Sequence, residues 1–183
     1  MKVFYGAAIQ GAKDRKERAV VHQHIISSIK TLGFSVVTEH TTGKTYEEAI
    51  KKLQDAIGPL PPKGIQRRIY VRNKMIEGIE GDVVAAVFEV STPSLGTGIE
   101  IAHAYLRPRM GLSTIPILCL YQKDYWPNQL STMIQGLHHD TVPQMTIVEY
   151  GSLDDIRNIL RTFFREIVET KEKSSFTPTR ERS

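Results

Sequence analysis

The order of apolar runs along the chain predicts an α/β fold: a three-layer, doubly wound, five-stranded parallel sheet with helices on both faces. Segments of strand-like composition alternate with segments of helical periodicity along the chain. The third and fourth strand-like runs, at 83–90 and 115–121, are almost continuously apolar, as is typical of strands buried on both faces of a parallel sheet. Together these observations favour a Rossmann-like or flavodoxin-like topology.

The first part of the chain predicts two strand–helix units. An apolar run that closes on glycine, Lys2–Ala8, predicts the first strand and its turn. A helix is predicted over Arg15–Leu32, because apolar residues recur there at helical spacing, and Gly33 ends it. The run Phe34–Thr38 predicts the second strand, and Tyr46–Ile57 predicts a polar helix with one apolar face.

A third unit follows a proline-rich break. The segment Gly58–Gly64 holds three prolines, which remove backbone donors and fix φ, so we expect a surface excursion there. Next come a predicted helix over Ile65–Ile79 and the strand Val83–Val90. A Ser/Thr/Pro/Gly loop then leads into a helix predicted over Gly98–Leu106.

The last part of the chain completes the predicted sheet. Two apolar runs, Ile115–Tyr121 and Met145–Tyr150, predict strands four and five, and Leu153–Thr170 predicts a helix with a continuous apolar face. We expect residues 1–170 to form a single α/β domain. The charged segment Lys171–Ser183 is poor in apolar residues, so we expect a disordered tail.

Bulk composition is typical of an ordinary soluble globular protein. The chain has 183 residues, of which 40% are hydrophobic and 24% charged, and a formal net charge of +4. A single cysteine, Cys119, lies in an apolar run and excludes an internal disulfide. No leader and no apolar stretch of about 18 residues is seen, so we expect a cytoplasmic protein, or a nuclear one in a eukaryote, without membrane contact.

Basic residues form two clusters along the chain. We interpret both as solvated helix faces, because acidic residues are interleaved with them, and we expect no nucleic-acid polymer as a partner. The clusters are Lys13, Arg15, Lys16 and Arg18, and Arg67, Arg68, Arg72 and Lys74.

The stretch at 89–104 carries the strongest functional signal. It crosses from a strand through the Ser/Thr/Pro/Gly loop into a helix with Glu100 in its predicted first turn. Backbone N–H groups converge at such a crossing and favour an anion such as phosphate. Glu100 is then either a nucleophile or base at the carboxyl edge of the sheet, or only a favourable partner of the helix dipole.

Six short motifs occur in a specific order and spacing between Val3 and Tyr150. They make the sequence resemble the nucleoside 2-deoxyribosyltransferase superfamily, and most closely its 2′-deoxynucleoside 5′-phosphate N-hydrolase branch. The motifs are Phe4–Gly11, Val37–His40, Asp82–Val84, Pro93–Glu100, Ile117–Leu120 and Leu130–Gly136.

The resemblance implies cleavage of an N-glycosidic bond. Glu100 matches the family carboxylate that attacks the anomeric carbon, where it stabilises oxocarbenium-like charge or forms a covalent glycosyl-enzyme. Ser94 matches the serine of the 5′-phosphate hydrolases, whereas the free-nucleoside transferases have an Asp there that would repel phosphate. With Gly96 and Gly98, it would form a phosphate cradle. Taken alone, Ser94 also fits a helix N-cap.

The resemblance also implies a partner subunit. Ser131 matches a serine that reaches the phosphate from a neighbouring subunit, which implies a homodimer with composite sites, although alone it also fits an N-cap. His40 matches a position at the nucleotide-binding cleft, although a lone His after a strand is also a common surface residue. Gly6, Ile9 and Gln10 lie in the matching first loop. No metal or other cofactor is required, and no metal-ligand spacing is seen.

Two departures from the family pattern concern the site itself. The family usually has an Asp in the helix before strand three, and the matching position here is Lys74 or Ile76. Asn73 and Glu77 are therefore the nearest polar candidates for the acid or sugar contact.

In the first loop, Gln10 stands where the hydrolases carry an Arg, and Ala7 or Ala8 where they carry a Ser. Loss of a bidentate cation weakens phosphate binding unless Lys13 or Arg15 compensates. The segments 59–64 and 121–128, the second with Trp126, are longer than expected and could reshape the base pocket.

Three functions therefore compete at the level of sequence. The first is hydrolysis of (2′-deoxy)nucleoside 5′-monophosphates to free base and (deoxy)ribose 5-phosphate. The second is base exchange by a nucleoside 2-deoxyribosyltransferase. The third is a nucleotide-binding module without catalysis, which the missing Asp and Arg favour.

Overall fold

The computed structural model describes residues 1–8, 15–38, 42–125 and 130–175. Within these ranges, strands and helices alternate in the predicted order. The strands are β1 (Lys2–Ala7), β2 (Ser35–Val36), β3 (Ala85–Glu89), β4 (Ile117–Gln122) and β5 (Met145–Tyr150). The helices are α1 (Arg15–Thr31), α2 (Tyr46–Ile57), α3 (Ile65–Glu80), α4 (Leu95–Tyr105), α5 (Thr132–Gln135) and α6 (Leu153–Ser175), with a 3-10 helix over Arg107–Met110.

All five strands pair in parallel, in the order β2-β1-β3-β4-β5. The predicted doubly wound α/β fold is therefore confirmed. The direction in which successive strands are added to the sheet reverses at β1, which has β2 on one side and β3 on the other. In the pairing of β1 with β3, Gly6 lies opposite Phe88. In open parallel sheets of this kind, ligands bind outside the carboxyl ends of the strands at such a reversal.

Two hydrophobic clusters cover the two faces of the sheet. On one face α1 and α6 pack against the strands, through residues such as Ile25 and Phe164. On the other face α3 and α4 pack together, through residues such as Ile79 and Ile101. Every residue of β3 is buried, as expected for a central parallel strand. Cys119 on β4 is also buried, which raises the pKa of its thiol to about 12.

Several element boundaries differ from the sequence prediction. β2 is only two residues long, because it is an edge strand that pairs with β1 alone. α4 begins at Leu95 and not at Gly98, because Ser94 caps it. α6 continues into the expected tail as far as Ser175, and residues 176–183 lie outside the described ranges. Within the described ranges, no helix has the length and apolar content needed to cross a membrane.

Candidate active site

A cavity of about 820 Å³ opens at the carboxyl end of β1, a size typical of small-molecule sites. Its walls come from β1, α2, α3 and the first turns of α4. The lining residues are Gly6, Ala7, Ala49, Ile50, Leu53, Lys63, Gly64, Arg67, Arg68, Val71, Arg72, Met75, Ile76, Ser94, Gly96, Thr97, Ile99 and Glu100.

Local sequence explains why α2 and α3 frame this cavity. Thr45 caps α2, with its hydroxyl accepting from the Glu48 amide at 3.2 Å, and the Glu48 carboxylate accepts from the Lys44 amide at 2.9 Å. Both the end of α2 and the Pro-rich excursion are tied to α3, because Tyr70 donates to the Ile57 carbonyl at 2.6 Å and Arg67 Nε donates to the Pro61 carbonyl at 2.6 Å.

Among the described residues that line the cavity, only Glu100 is acidic. It lies in the second turn of α4. Its half-buried carboxylate has no hydrogen bond or ion pair with any described residue. Desolvation raises its pKa from 4.5 to about 7. An unpaired carboxylate that ionises near neutrality is chemically suited to act as a nucleophile or base.

Gly6 lets the backbone of β1 approach this carboxylate closely. A Cβ atom at position 6 would lie 2.7 Å from Glu100 Oε2 and 2.7 Å from the Phe88 ring. No side chain fits between the two without displacing one of them. The glycine at the end of β1 is therefore required by the position of Glu100.

Ser94 begins α4 and also faces the cavity. Its hydroxyl accepts from the Thr97 amide at 3.3 Å, which makes it the N-cap. Ser94, Gly96 and Thr97 line the cavity together, and the first turn of α4 carries no acidic residue. The positive end of the helix dipole and the free amides of this turn therefore favour an anion beside Glu100.

The second basic cluster lies on the cavity wall, and Arg68 and Arg72 are also exposed, as expected for a solvated helix face. Arg67, Arg68 and Arg72 recur at helical spacing and line the cavity, together with Lys63 from the excursion. Lys74 behaves differently, because it points away and pairs with Glu77 at 2.5 Å. The sequence shows these cations, but not which face of α3 meets the cavity.

Asn73 and Glu77, the candidates for the acid or sugar contact, are exposed and do not line the cavity. The cavity face of α3 is set by residues one turn apart, such as Arg68, Arg72 and Ile76, and Asn73 and Glu77 lie on another side of the helix. Ile76, one of the two positions matched to the family Asp, does line the cavity.

The remaining predicted site residues are only partly brought together. Gly98 lies in α4 but not in the cavity lining, and Ser131 is exposed outside it. Ile9, Gln10 and His40 lie outside the described residues, as do Lys13 and Trp126. Within the described ranges, no group of three or more His, Cys, Asp or Glu could hold a metal ion.

A buried ion pair that sequence reasoning missed anchors the loop before α4. Arg18 Nη2 contacts Glu89 Oε1 at 2.7 Å, and both side chains are almost fully buried. The same carboxylate accepts from the Tyr150 hydroxyl at 3.0 Å and from the hydroxyl of Ser91, which in turn accepts from the Gln122 amide at 2.7 Å. The network fixes the end of β3 and the start of the loop that carries Ser94.

Known proteins resemble the chain over nearly its whole length, although no family model matches it. A 5-hydroxymethyl-dUMP N-hydrolase of Danio rerio is 28% identical over 167 residues, which is 91% of this chain and 98% of the relative. A "Putative 2'-deoxynucleoside 5'-phosphate N-hydrolase 1" of Thermofilum pendens is 30% identical over 155 residues, which is 85% of this chain and 89% of the relative. Identity and coverage of this extent confirm what the motifs predict: the chain belongs to the 2′-deoxynucleoside 5′-phosphate N-hydrolase family.

Proposed function

We propose that the protein hydrolyses the N-glycosidic bond of (2′-deoxy)nucleoside 5′-monophosphates, with Glu100 as the nucleophile. The observation that carries this proposal is an unpaired carboxylate with a raised pKa in a nucleotide-sized cavity, next to the N-terminus of α4. The names of the relatives support the same class of reaction, since each describes an N-hydrolase of a nucleoside 5′-phosphate.

The proposed reaction has two displacements at C1′. A Glu100 carboxylate oxygen bonds to C1′ as the C–N bond breaks, and the base departs with the bonding electron pair. Water then attacks C1′, restores the carboxylate and releases (deoxy)ribose 5-phosphate, while its proton neutralises the base. The apolar wall formed by Ile50, Leu53, Val71 and Met75 is suited to hold the base.

The proposed phosphate site lies at the N-terminus of α4. Ser94 and the amide of Gly96 would hold the phosphate there, because the first amides of a helix have no partner within it. The two amides that follow are already engaged, since the Thr97 amide donates to the Ser94 hydroxyl at 3.3 Å and the Gly98 amide donates to the Ser94 carbonyl at 3.0 Å.

Exchange of Ser94 for Asp separates the capping role of this residue from its phosphate role. Asp caps helices as well as Ser does, so the free energy of unfolding of Ser94→Asp is expected to match wild type within about 0.5 kcal/mol. The added negative charge repels phosphate, so KM for a monophosphate is expected to rise at least about tenfold. Steady-state assays and urea denaturation measure both. An unchanged KM would place the phosphate elsewhere, and Ser94→Ala serves as the uncharged comparison.

Exposed apolar residues on α4 and beside Ser131 on α5 support the proposed homodimer. Leu95 and Ile99 on α4 are 92% and 51% exposed, and Met133 on α5 is 81% exposed. The Ser131 side chain does not cap α5, so its hydroxyl is available for the proposed contact with the phosphate of the other subunit. If each site combines Glu100 of one subunit with Ser131 of the other, a mixed dimer of the two single variants contains one intact site. A mixture of inactive Glu100→Gln and weakened Ser131→Ala is therefore expected to show more activity than the sum of the two variants measured separately. Strict additivity, or a monomer in sedimentation equilibrium, would exclude composite sites.

Base release from a deoxynucleoside monophosphate, followed by chromatography, tests the proposed function directly. Addition of an unlike free base separates the alternatives, because an exchanged nucleoside would identify a transferase. Tight binding without release of base would identify a binding module.

A further inference from the structure

The ion pair of Arg18 and Glu89 lies on the side of the sheet opposite the cavity. Successive residues of a strand point to opposite faces, and Val87 belongs to the core under α1 and α6, whereas Phe88 belongs to the core under α3 and α4. Glu89 therefore points toward α1, and neither member of the pair lines the cavity. Any effect of this pair on the reaction must pass through the loop that follows β3.

Stability alone does not account for a buried ion pair at this place, because apolar side chains of similar volume often stabilise a fold equally well. Burial alone would lower the pKa of the Arg18 guanidinium, but the charge of Glu89 outweighs burial and holds that pKa above its ordinary value. The guanidinium also donates to Gln122 Oε1 at 2.5 Å and to the Tyr150 hydroxyl at 2.9 Å. Its planar fork thus meets side chains of β3, β4 and β5 at once, which fixes their relative positions.

Two consecutive residues of the loop after β3 are attached to this pair. The Ser91 amide and hydroxyl both donate to Glu89 Oε1, the amide at 3.3 Å. The hydroxyl of Thr92 lies 3.5 Å from that of Tyr125, whose ring centre is 4.6 Å from the Arg18 guanidinium. Both loop residues are more than nine-tenths buried. The start of the loop is therefore held in place relative to Arg18.

A proline stiffens the connection from these residues to Ser94. Pro93 fixes its own φ, and Thr92 before it is restricted to extended conformations. Few backbone torsions are therefore free between the anchored Ser91 and Ser94. The hydroxyl of Ser94 caps α4, and the residue lines the cavity. A displacement of Ser91 is thus transmitted to the proposed phosphate site.

From these contacts we infer that Arg18 is a positioning residue, which holds the loop so that Ser94 meets the 5′-phosphate of the substrate. The inference rests on the proposed function and adds a residue that acts on the same phosphate site. Loss of the pair should weaken recognition of the phosphate more than cleavage of the C–N bond, because Glu100 stands on α4 and not on the loop.

The measured quantity is the phosphate preference, defined as kcat/KM for a deoxynucleoside 5′-monophosphate divided by kcat/KM for the free deoxynucleoside. A smaller amount of folded enzyme lowers both values and leaves their ratio unchanged. A displaced phosphate site lowers the ratio itself. Base release followed by chromatography gives both values, and urea denaturation checks that each variant is folded.

The double variant Arg18→Met/Glu89→Leu removes both charges and keeps apolar side chains of similar volume, so it is expected to fold. Its phosphate preference is expected to fall at least about tenfold, since loss of a hydrogen bond to a charged group costs roughly that factor. Ser91→Ala removes one attachment of the loop, and should lower the preference at least about threefold. The matched control is Tyr5→Phe, which loses a buried hydroxyl that contacts His22 at 2.7 Å on the same side of the sheet and is expected to keep the preference.

The outcomes separate this inference from the proposed function. If wild type releases base without a phosphate preference, or if the double variant keeps that preference, the inference is overturned and N-glycoside hydrolysis stands. An equal loss in Tyr5→Phe also overturns it, because any buried defect would then act alike. If the double variant does not fold, Ser91→Ala decides, and an unchanged preference in that variant overturns the inference.

Calorimetry decides the inference if wild type releases no base, in which case the hydrolase proposal itself fails. The ratio of the affinities for the monophosphate and the free deoxynucleoside then replaces the kinetic ratio. A tenfold fall of this ratio in the double variant supports the inference. An unchanged ratio, or equal affinity of wild type for the two ligands, overturns it.

Discussion

Replacement of Glu100 by glutamine is expected to lower kcat for base release by roughly 10⁴-fold, because loss of a nucleophile removes the whole covalent route. The amide keeps the size of the side chain but cannot attack C1′. Single-turnover assays on a deoxynucleoside monophosphate give the measurement. The control is Glu77→Gln, on the exposed side of α3, which is expected to work at the wild-type rate. A Glu100→Gln enzyme within tenfold of wild type would refute the assignment.

The same substitution is expected to stabilise the protein at alkaline pH. Because the pKa of Glu100 is raised from 4.5 to about 7, the folded protein binds its proton more tightly than the unfolded chain does. The ionised carboxylate therefore destabilises the fold fully above pH about 7, and the cost disappears below pH about 4.5. Urea denaturation should show Glu100→Gln about 3 kcal/mol more stable than wild type at about pH 8 and less than about 1 kcal/mol more stable at about pH 5. Equal stability at pH 8 would contradict the desolvated state of the carboxylate.

Gly6→Ala is expected to be the second most damaging substitution for activity. The new methyl group would lie 2.7 Å from both Glu100 Oε2 and the Phe88 ring, and the fully buried ring cannot move aside. The carboxylate must then shift, and displacement of a reacting group by about 1 Å can cost about 100-fold in rate. Overpacking should also reduce the free energy of unfolding by about 1–3 kcal/mol. We expect kcat to fall at least about 100-fold in steady-state assays of the folded variant.

Gly98→Ala provides the matched comparison for stability. A Cβ atom at this helical position meets nothing within 4 Å, so the substitution should raise the free energy of unfolding by about 1 kcal/mol. If Gly6→Ala were equally stabilising and fully active, the close approach of β1 to Glu100 would be wrong.

The fold could be predicted well where short-range patterns determine structure. The bounds of α2 and β5 match the prediction, because α2 has a Thr45 cap and a glycine end and β5 is a compact apolar run. The start of α4 was predicted three residues late, because the pattern indicated a loop where the Ser94 hydroxyl in fact caps a helix. β2 was predicted too long, since an apolar run does not reveal how many residues an edge strand pairs.

The site was less predictable because it depends on contacts between distant segments. The sequence pointed to Glu100 and Ser94 through one local motif. It could not reveal that Gly6 lies close to the carboxylate, that Arg18 meets Glu89 across 71 positions, or that three α3 arginines line the cavity. Helical spacing groups residues on faces, but only tertiary packing decides which face meets a cavity.

The stereochemistry of solvolysis tests most directly whether Glu100 attacks C1′. With methanol added to the reaction, part of the sugar phosphate is released as a methyl glycoside, whose anomeric configuration NMR identifies. Double displacement through Glu100 predicts retention, so the β-methyl glycoside forms from a β-nucleotide. Formation of the α-methyl glycoside would mean a single displacement by solvent and would contradict a covalent role for this carboxylate.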